Sequence, residues 1–304
     1  MLSAAPIHRY ASTRQLVKCM RSLPTILRLA TSRSAITSRS ALTRTATRRS
    51  ALTRTMATGG TVDTLIFDVD DTLYPVSSGF SKHRNGPIVA KFMVDELGFE
   101  TEKEALELRD EVFRETHSTL KGLTLASARG KMPKPFEEHM LGDYWAAHCE
   151  FDAFLPRNEE FRTQLAELKQ LGYKLVVFSN APRKYARRCL DSLGLRDLFR
   201  DDFIFGVEDV MPACKPEKEA FQTVLDAVGA DAESSVMFED SLKNIRACRA
   251  LGMRCVFVEE EVGGEAALLG DSAAAGDADL YDAKIRRIAD LKGAAPWLWE
   301  RKSS

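Results

Sequence analysis

"LIFDVDDTLYP", residues 65–75, runs from three apolar residues straight into three aspartates within four positions. Leu65, Ile66 and Phe67 read as the end of a buried strand. Asp68, Asp70 and Asp71 repel one another and lose hydration if buried together. Packing does not require such a cluster just where a hydrophobic strand stops; a bound cation that offsets the repulsion would account for it.

Downstream of this stretch the chain alternates between helix and strand patterns. Asn158 is placed to cap a helix with Phe161, Leu165 and Leu168 on one face and Gly172 at its end. "KLVVFSN" (174–180), "SSVMFED" (234–240) and "MRCVFVEE" (253–260) are short runs rich in β-formers. Between them lie a basic helix from Arg183 and a helix opened by Lys215-Pro216, with Phe221, Val224, Leu225 and Val228 inward. "LKNIRACRALG" (242–252) supplies another helix. Repeated β-α units with continuous apolar strands predict an α/β fold, a doubly wound parallel sheet covered on both faces. A small, acidic stretch at 263–278 reads as a loop. A last helix is expected over 282–292, followed by Trp297 and Trp299 as a docking tail.

Residues 79–156 carry helical rather than strand patterning. Val89, Phe92, Met93 and Leu97 share a face, Thr101 opens a capping box, and Ala105, Leu108 and Val112 continue the pattern. The expected organisation is a core domain from 61–78 and 157–304, interrupted by a helical insert over 79–156.

Residues 1–60 stand apart from this organisation. They hold ten arginines and one lysine and no acid, so the rest of the chain carries 32 basic residues against 44 acidic ones. The segment is rich in Ser and Thr and repeats SALTRT at 40–45 and 50–55. Arg-rich, Ser-rich and acid-poor composition is that of a plastid or mitochondrial transit peptide; a disordered basic arm is the plainer reading. Translation from Met56 would leave a cytoplasmic protein. An acidic body argues against a nucleic acid partner, and the short, interrupted apolar stretches of the tail argue against a membrane span. Six cysteines without a CxxC pair fit reduced thiols, and no histidine spacing suggests zinc.

In doubly wound sheets ligands bind beyond the carboxyl ends of the strands. Collected there are Asp68 and Asp70, Ser179 and Asn180, and Glu239 and Asp240, with Lys215 at the start of a helix between the last two groups. Each has a plain alternative: the aspartates as turn residues, Ser179-Asn180 as a helix cap, Lys215 as a surface lysine. Asp71 reads as a turn or cap residue.

"DVDDTLY", "FSN", "KP" and "FEDS", in that order, resemble the four motifs of the haloacid dehalogenase-like hydrolases. The resemblance covers nearly all of residues 61–260 and implies a Rossmann-like core with an inserted α-helical cap domain. It implies that Asp68 is the nucleophile and forms an aspartyl-phosphate, and that Asp70 is the general acid and base. Ser179, Asn180 and Lys215 would hold the phosphate, and Mg²⁺ would sit among Asp68, the backbone carbonyl of Asp70, Asp240 and Glu239. Halide release needs no proton from a second acid, so Asp70 favours a phosphatase over a dehalogenase. Within the family the chain is most similar to the pyrimidine 5′-nucleotidase group, through "DDTLYP", "KGLTLA" (121–126), "YWAAHCEFDAFLP" (144–156) and "FEDSLKNIRACRALGM" (238–253). It departs from that group's usual pattern at Lys121, Leu123 and Thr124, where the cap is expected to set specificity. The implied substrate is a small phosphate ester, UMP or CMP, with a sugar or acid phosphate such as phosphoglycolate as the alternative.

The tail yields the first test. Residues 1–55 fused to a fluorescent reporter are expected to direct it to an organelle; a uniformly cytosolic signal would refute targeting.

Overall fold

The computed structural model describes residues 61–260 and 279–300. The expected transit segment and the acidic stretch at 263–278 lie outside the described residues. Six parallel strands form one sheet: β1 (Thr64–Phe67), β2 (Lys174–Phe178), β3 (Ile204–Phe205), β4 (Ser235–Glu239), β5 (Arg254–Val258) and β6 (Ala283–Ile285). Their order is β3-β2-β1-β4-β5-β6, so β1 is central. The strand order reverses beside it, between β1 and β4, which is where a doubly wound sheet opens its ligand crevice.

Alternation along β1 explains why its apolar run is continuous. Leu65 and Phe67 enter one hydrophobic cluster and Ile66 the other, on opposite faces of the sheet. Phe67 pairs in register with Val177 and Phe238 and stacks on the Phe238 ring at 4.3 Å. The backbone N–H of Asp68 extends this pairing to the Phe238 carbonyl, 3.0 Å away. The ladder therefore delivers Asp68 beside the residue after Phe238, which is Glu239.

Between β1 and β2 the chain is helical: α1 (Val89–Asp95), α2 (Glu102–Thr116), α3 (Thr119–Ala128) and α4 (Glu138–His148). Thr101 caps α2 by accepting from the Glu104 N–H, as its sequence signature requires. Phe92, Val112, Leu123, Leu141 and Trp145 are buried. The cluster containing Leu65 and Phe67 runs on without a break into Phe80, Phe92, Leu123 and Trp145. The sheet is further flanked by α5 (Glu159–Gln170), α6 (Arg183–Ser192), α7 (Lys218–Val228) and α8 (Leu242–Ala250). Asn158 caps α5 by accepting from the Phe161 N–H at 3.0 Å. The five cysteines among the described residues are all unpaired and buried. No helix of the described residues is long and apolar enough to cross a membrane.

Three details differ from the sequence reading. Helix α7 begins at Lys218 rather than at Lys215-Pro216, because both the backbone and the side chain of Lys215 are engaged elsewhere. The helix expected over 282–292 is instead the edge strand β6 and two short turns. Ala283 and Ile285 point inward and continue the ladder from β5, whose apolar edge would otherwise be open. The two-residue strand β3 gave too short a pattern to read. Trp297 and Trp299 do pack on the core, with Leu298 fully buried between them and the Trp299 indole N–H donating to Glu167.

Candidate active site

The residues singled out at the strand ends meet in one cavity of about 90 Å³ at the reversal point. Asp68 follows β1, Ser179 and Asn180 follow β2, and Glu239 and Asp240 end and follow β4. Lys215 reaches in from the turn before α7, its ammonium 2.7 Å from Asp68 Oδ1 and 2.7 Å from Glu239 Oε2. The lysine side chain is 1% exposed. Burial by itself lowers the Lys215 pKa, but the carboxylates of Asp68 and Glu239 more than offset this and hold it above its ordinary value. The reading of Lys215 as a surface residue is excluded.

Oxygen atoms of Asp68, Glu239 and Asp240 lie within 4.8 Å of one another. Burial pushes the Asp68 carboxyl well up, with Lys215 opposing and Glu239 and Asp70 adding to it. Asp240 is likewise pushed up, by burial and then by Glu239, Asp71 and Asp68. Three carboxylates against one ammonium leave an excess of negative charge and a donor set made only of oxygen. That set fits a hard divalent cation such as Mg²⁺, not a thiolate- or imidazole-seeking metal. Thr72 donates weakly to Asp240 at 3.4 Å, and the Ser241 N–H donates to Glu239 at 3.2 Å. Asp71 adopts φ 58°, the left-handed conformation of a turn residue, and accepts from Ser81. Asn244 is buried at the cavity wall, on α8.

Asp70 borders the same cavity, but its carboxylate does not join the acidic cluster. Arg84 donates to its Oδ2 at 2.7 Å, and the hydroxyls of Tyr185 and Tyr74 donate to Oδ1. Both phenols are pushed well above their usual range, chiefly by burial, so they stay protonated donors. A place for Asp70 among metal ligands therefore rests on its backbone carbonyl. Arg84 and Tyr185 carried no motif. They lie in a wide helical turn and in α6, and the sequence reading assigned neither.

Ser179 Oγ accepts from the Ala181 N–H at 3.0 Å in a local turn; it does not cap α6, whose N-cap is Pro182. The carboxamide of Asn180 is a brace rather than a phosphate ligand. It donates to the carbonyls of His117 and Lys215 and accepts from the Lys215 N–H. Ser118, in the turn between α2 and α3, donates to the Asn180 carbonyl at 2.8 Å. The helical segment is thus stitched to the two loops that carry Ser179 and Lys215. Lys121 and Leu123, where specificity was expected, lie away from the cavity. Lys121 pairs with Glu217 and touches Cys214, Leu123 is fully buried, and neither lines the cavity. The segment's contribution to the wall is Arg84, Phe113, His117, Ser118, Thr119 and Trp145.

The chain is similar to known proteins to different degrees. A phosphoglycolate phosphatase of Pseudomonas syringae pv. tomato is 29% identical over 119 residues, 39% of this chain and 43% of its own length. This chain thus spans less than half of that relative. Phosphate metabolism protein 8 of Saccharomyces cerevisiae is 27% identical over 203 residues, 62% of this chain and 58% of that protein. Among solved structures, CbbY from Rhodobacter sphaeroides in complex with phosphate superposes with a TM-score of 0.51 at 20% identity. It covers 76% of this chain and 96% of that one, a likeness of fold. The model of the haloacid dehalogenase-like hydrolases matches residues 62–252, well over half of the chain, and this protein belongs to that family.

Proposed function

We propose that this protein is a Mg²⁺-dependent phosphatase that hydrolyses small phosphate esters through an aspartyl-phosphate on Asp68. The observation that carries the reading is the buried Lys215 ammonium shared by Asp68 and Glu239 beside a third carboxylate, Asp240. In the first step an Asp68 carboxylate oxygen forms a bond to phosphorus and the ester P–O bond breaks, its oxygen taking a proton from Asp70. In the second, Asp70 accepts a proton from water as that water attacks phosphorus and the bond to Asp68 breaks. Lys215 and Ser179 would face the charge on the transferring oxygens. Asp68, Glu239, Asp240 and the Asp70 carbonyl would hold Mg²⁺, whose charge offsets the repulsion between a carboxylate and a phosphate dianion. Arg84, 2.7 Å from Asp70 Oδ2, fixes the orientation of that carboxyl group.

The name of the Pseudomonas relative favours a compact ester such as phosphoglycolate. UMP and CMP remain the second reading, supported by the similarity to pyrimidine 5′-nucleotidases. The departures at Lys121 and Leu123 do not count against it, since both residues lie away from the cavity.

Phosphate release at fixed Mg²⁺ from phosphoglycolate, sugar phosphates and nucleotides tests the reading. Phosphoglycolate should give the largest kcat/KM, and Asp68→Asn should lower turnover of every substrate by about a thousandfold or more. Pyrimidine nucleotides ahead of all others would overturn the substrate, and an Asp68→Asn variant within about tenfold of wild type would overturn the mechanism.

A metal titration provides a second check. Activity should vanish with chelator and return with Mg²⁺ but poorly with Ca²⁺. Asp68 and Asp240 are both pushed up, so protons compete for the cluster at a higher pH than usual. The Mg²⁺ concentration needed for half-activation should therefore rise as pH falls; full activity in chelator would contradict the proposal.

A further inference from the structure

The Asp70 carboxyl borders the cavity and is held by groups from three separate segments. Tyr185 on α6 donates to Oδ1 at 2.7 Å, and Tyr74 donates to the same oxygen from the loop after β1. Arg84 donates to Oδ2 at 2.7 Å from its wide helical turn. Each phenol has a single proton to give. Tyr74 Oη also lies 3.2 Å from Ser81 Oγ and 3.3 Å from Tyr185 Oη. Ser81, however, gives its own proton to Asp71, and the Asp70 carboxylate is the nearer, charged acceptor. Both phenol protons therefore go to Asp70 Oδ1.

Neither ring can turn away from that oxygen. Tyr74 is 3% exposed and Tyr185 is fully buried. Tyr185 lies nearly parallel to Phe80, with ring centres 6.0 Å apart, and meets Trp145 edge-on at 5.5 Å. The Arg84 guanidinium sits 4.8 Å from the centre of the same ring. Tyr74 meets Phe80 edge-on at 5.6 Å. A carboxylate oxygen accepts about two hydrogen bonds, so two immobilised phenols fill Oδ1 and leave Oδ2 as the oxygen that can meet the leaving group.

We propose that Tyr74 and Tyr185 are positioning residues for proton transfer: by occupying Asp70 Oδ1 they present Oδ2 to the leaving oxygen. The inference rests on the phosphatase reading and deepens it. The proton passes from Oδ2 to the ester oxygen as the P–O bond breaks, and a proton from water returns to Oδ2 in the second step. With a phenol gone the carboxyl can rotate, and the leaving oxygen loses its aligned donor. Tyrosines packed there for stability alone would affect every ester alike.

Esters that differ in their need for a proton separate these roles. An alkoxide leaves only with a proton, whereas a dinitrophenolate leaves without one. The value of kcat/KM reports the transfer of phosphate to Asp68 and is blind to the second step. In Tyr185→Phe and in Tyr74→Phe, kcat/KM for the better of phosphoglycolate and UMP, both alkyl esters, should fall about tenfold or more. For dinitrophenyl phosphate it should stay within about threefold of wild type, which also shows that the variants are folded. Asp70→Asn should show the same selective loss. An equal fall on both kinds of ester in the tyrosine variants, or no fall on either, overturns the positioning role while the phosphatase reading stands. A wild type inactive on both alkyl esters overturns that reading and this inference with it.

Discussion

The buried ammonium of Lys215, held between Asp68 and Glu239, is the contact on which the site depends. Three charged side chains come from three separate segments, and none of them would be tolerated there alone. Removing one member of a buried ion pair strands its partner at a cost of about 3–5 kcal/mol. Two carboxylates on one ammonium still leave the cluster short of positive charge once Asp240 is added. A cation site thus follows from the charges already present. The position of the cluster follows from the sheet: β1 and β4 are neighbours in register, and the reversal of strand order beside β1 opens the crevice there.

Coupling between the helical segment and the strand ends runs through Asn180. Its carboxamide spans the His117 and Lys215 backbones, and its own carbonyl receives Ser118. Any outward movement of the turn between α2 and α3 must break contacts to the residue that positions the Lys215 loop. On the other side of the cavity, Arg84 joins Asp70 to the rings of Trp145 and Tyr185. The wall that meets the leaving group and the residues that handle charge on the phosphate are therefore built as one unit.

Much of this was legible in the chain, for identifiable reasons. Leu65–Phe67 running into three aspartates announced both a buried strand and its chemistry, and Asn158 and Thr101 announced helix starts through their capping side chains. Lys215 was placed in the site, but the helix was begun too early. Pro216 suits a first helical turn, and nothing local revealed that Asn180 holds the Lys215 backbone 35 residues away. The β6 strand was misread because Ile285, Ile288 and Leu291, each three residues apart, also fit a helical face. Arg84, Tyr185 and Trp145 went unassigned because each sits in a helix where an arginine or aromatic is ordinary. Only the fold brings Arg84 and Tyr185 to Asp70 and packs Trp145 against both of them. For Lys121 and Leu123 the converse holds: the sequence placed them in the helical segment, but could not tell which of its residues reach the cavity.

The central claim is that phosphate passes to Asp68 before it passes to water. The stereochemical course at phosphorus tests this most directly, using a phosphorothioate ester made chiral with oxygen isotopes and hydrolysed in water carrying the third isotope. Two successive in-line displacements predict net retention of configuration. Inversion would mean that water attacks the ester directly, and would contradict the account.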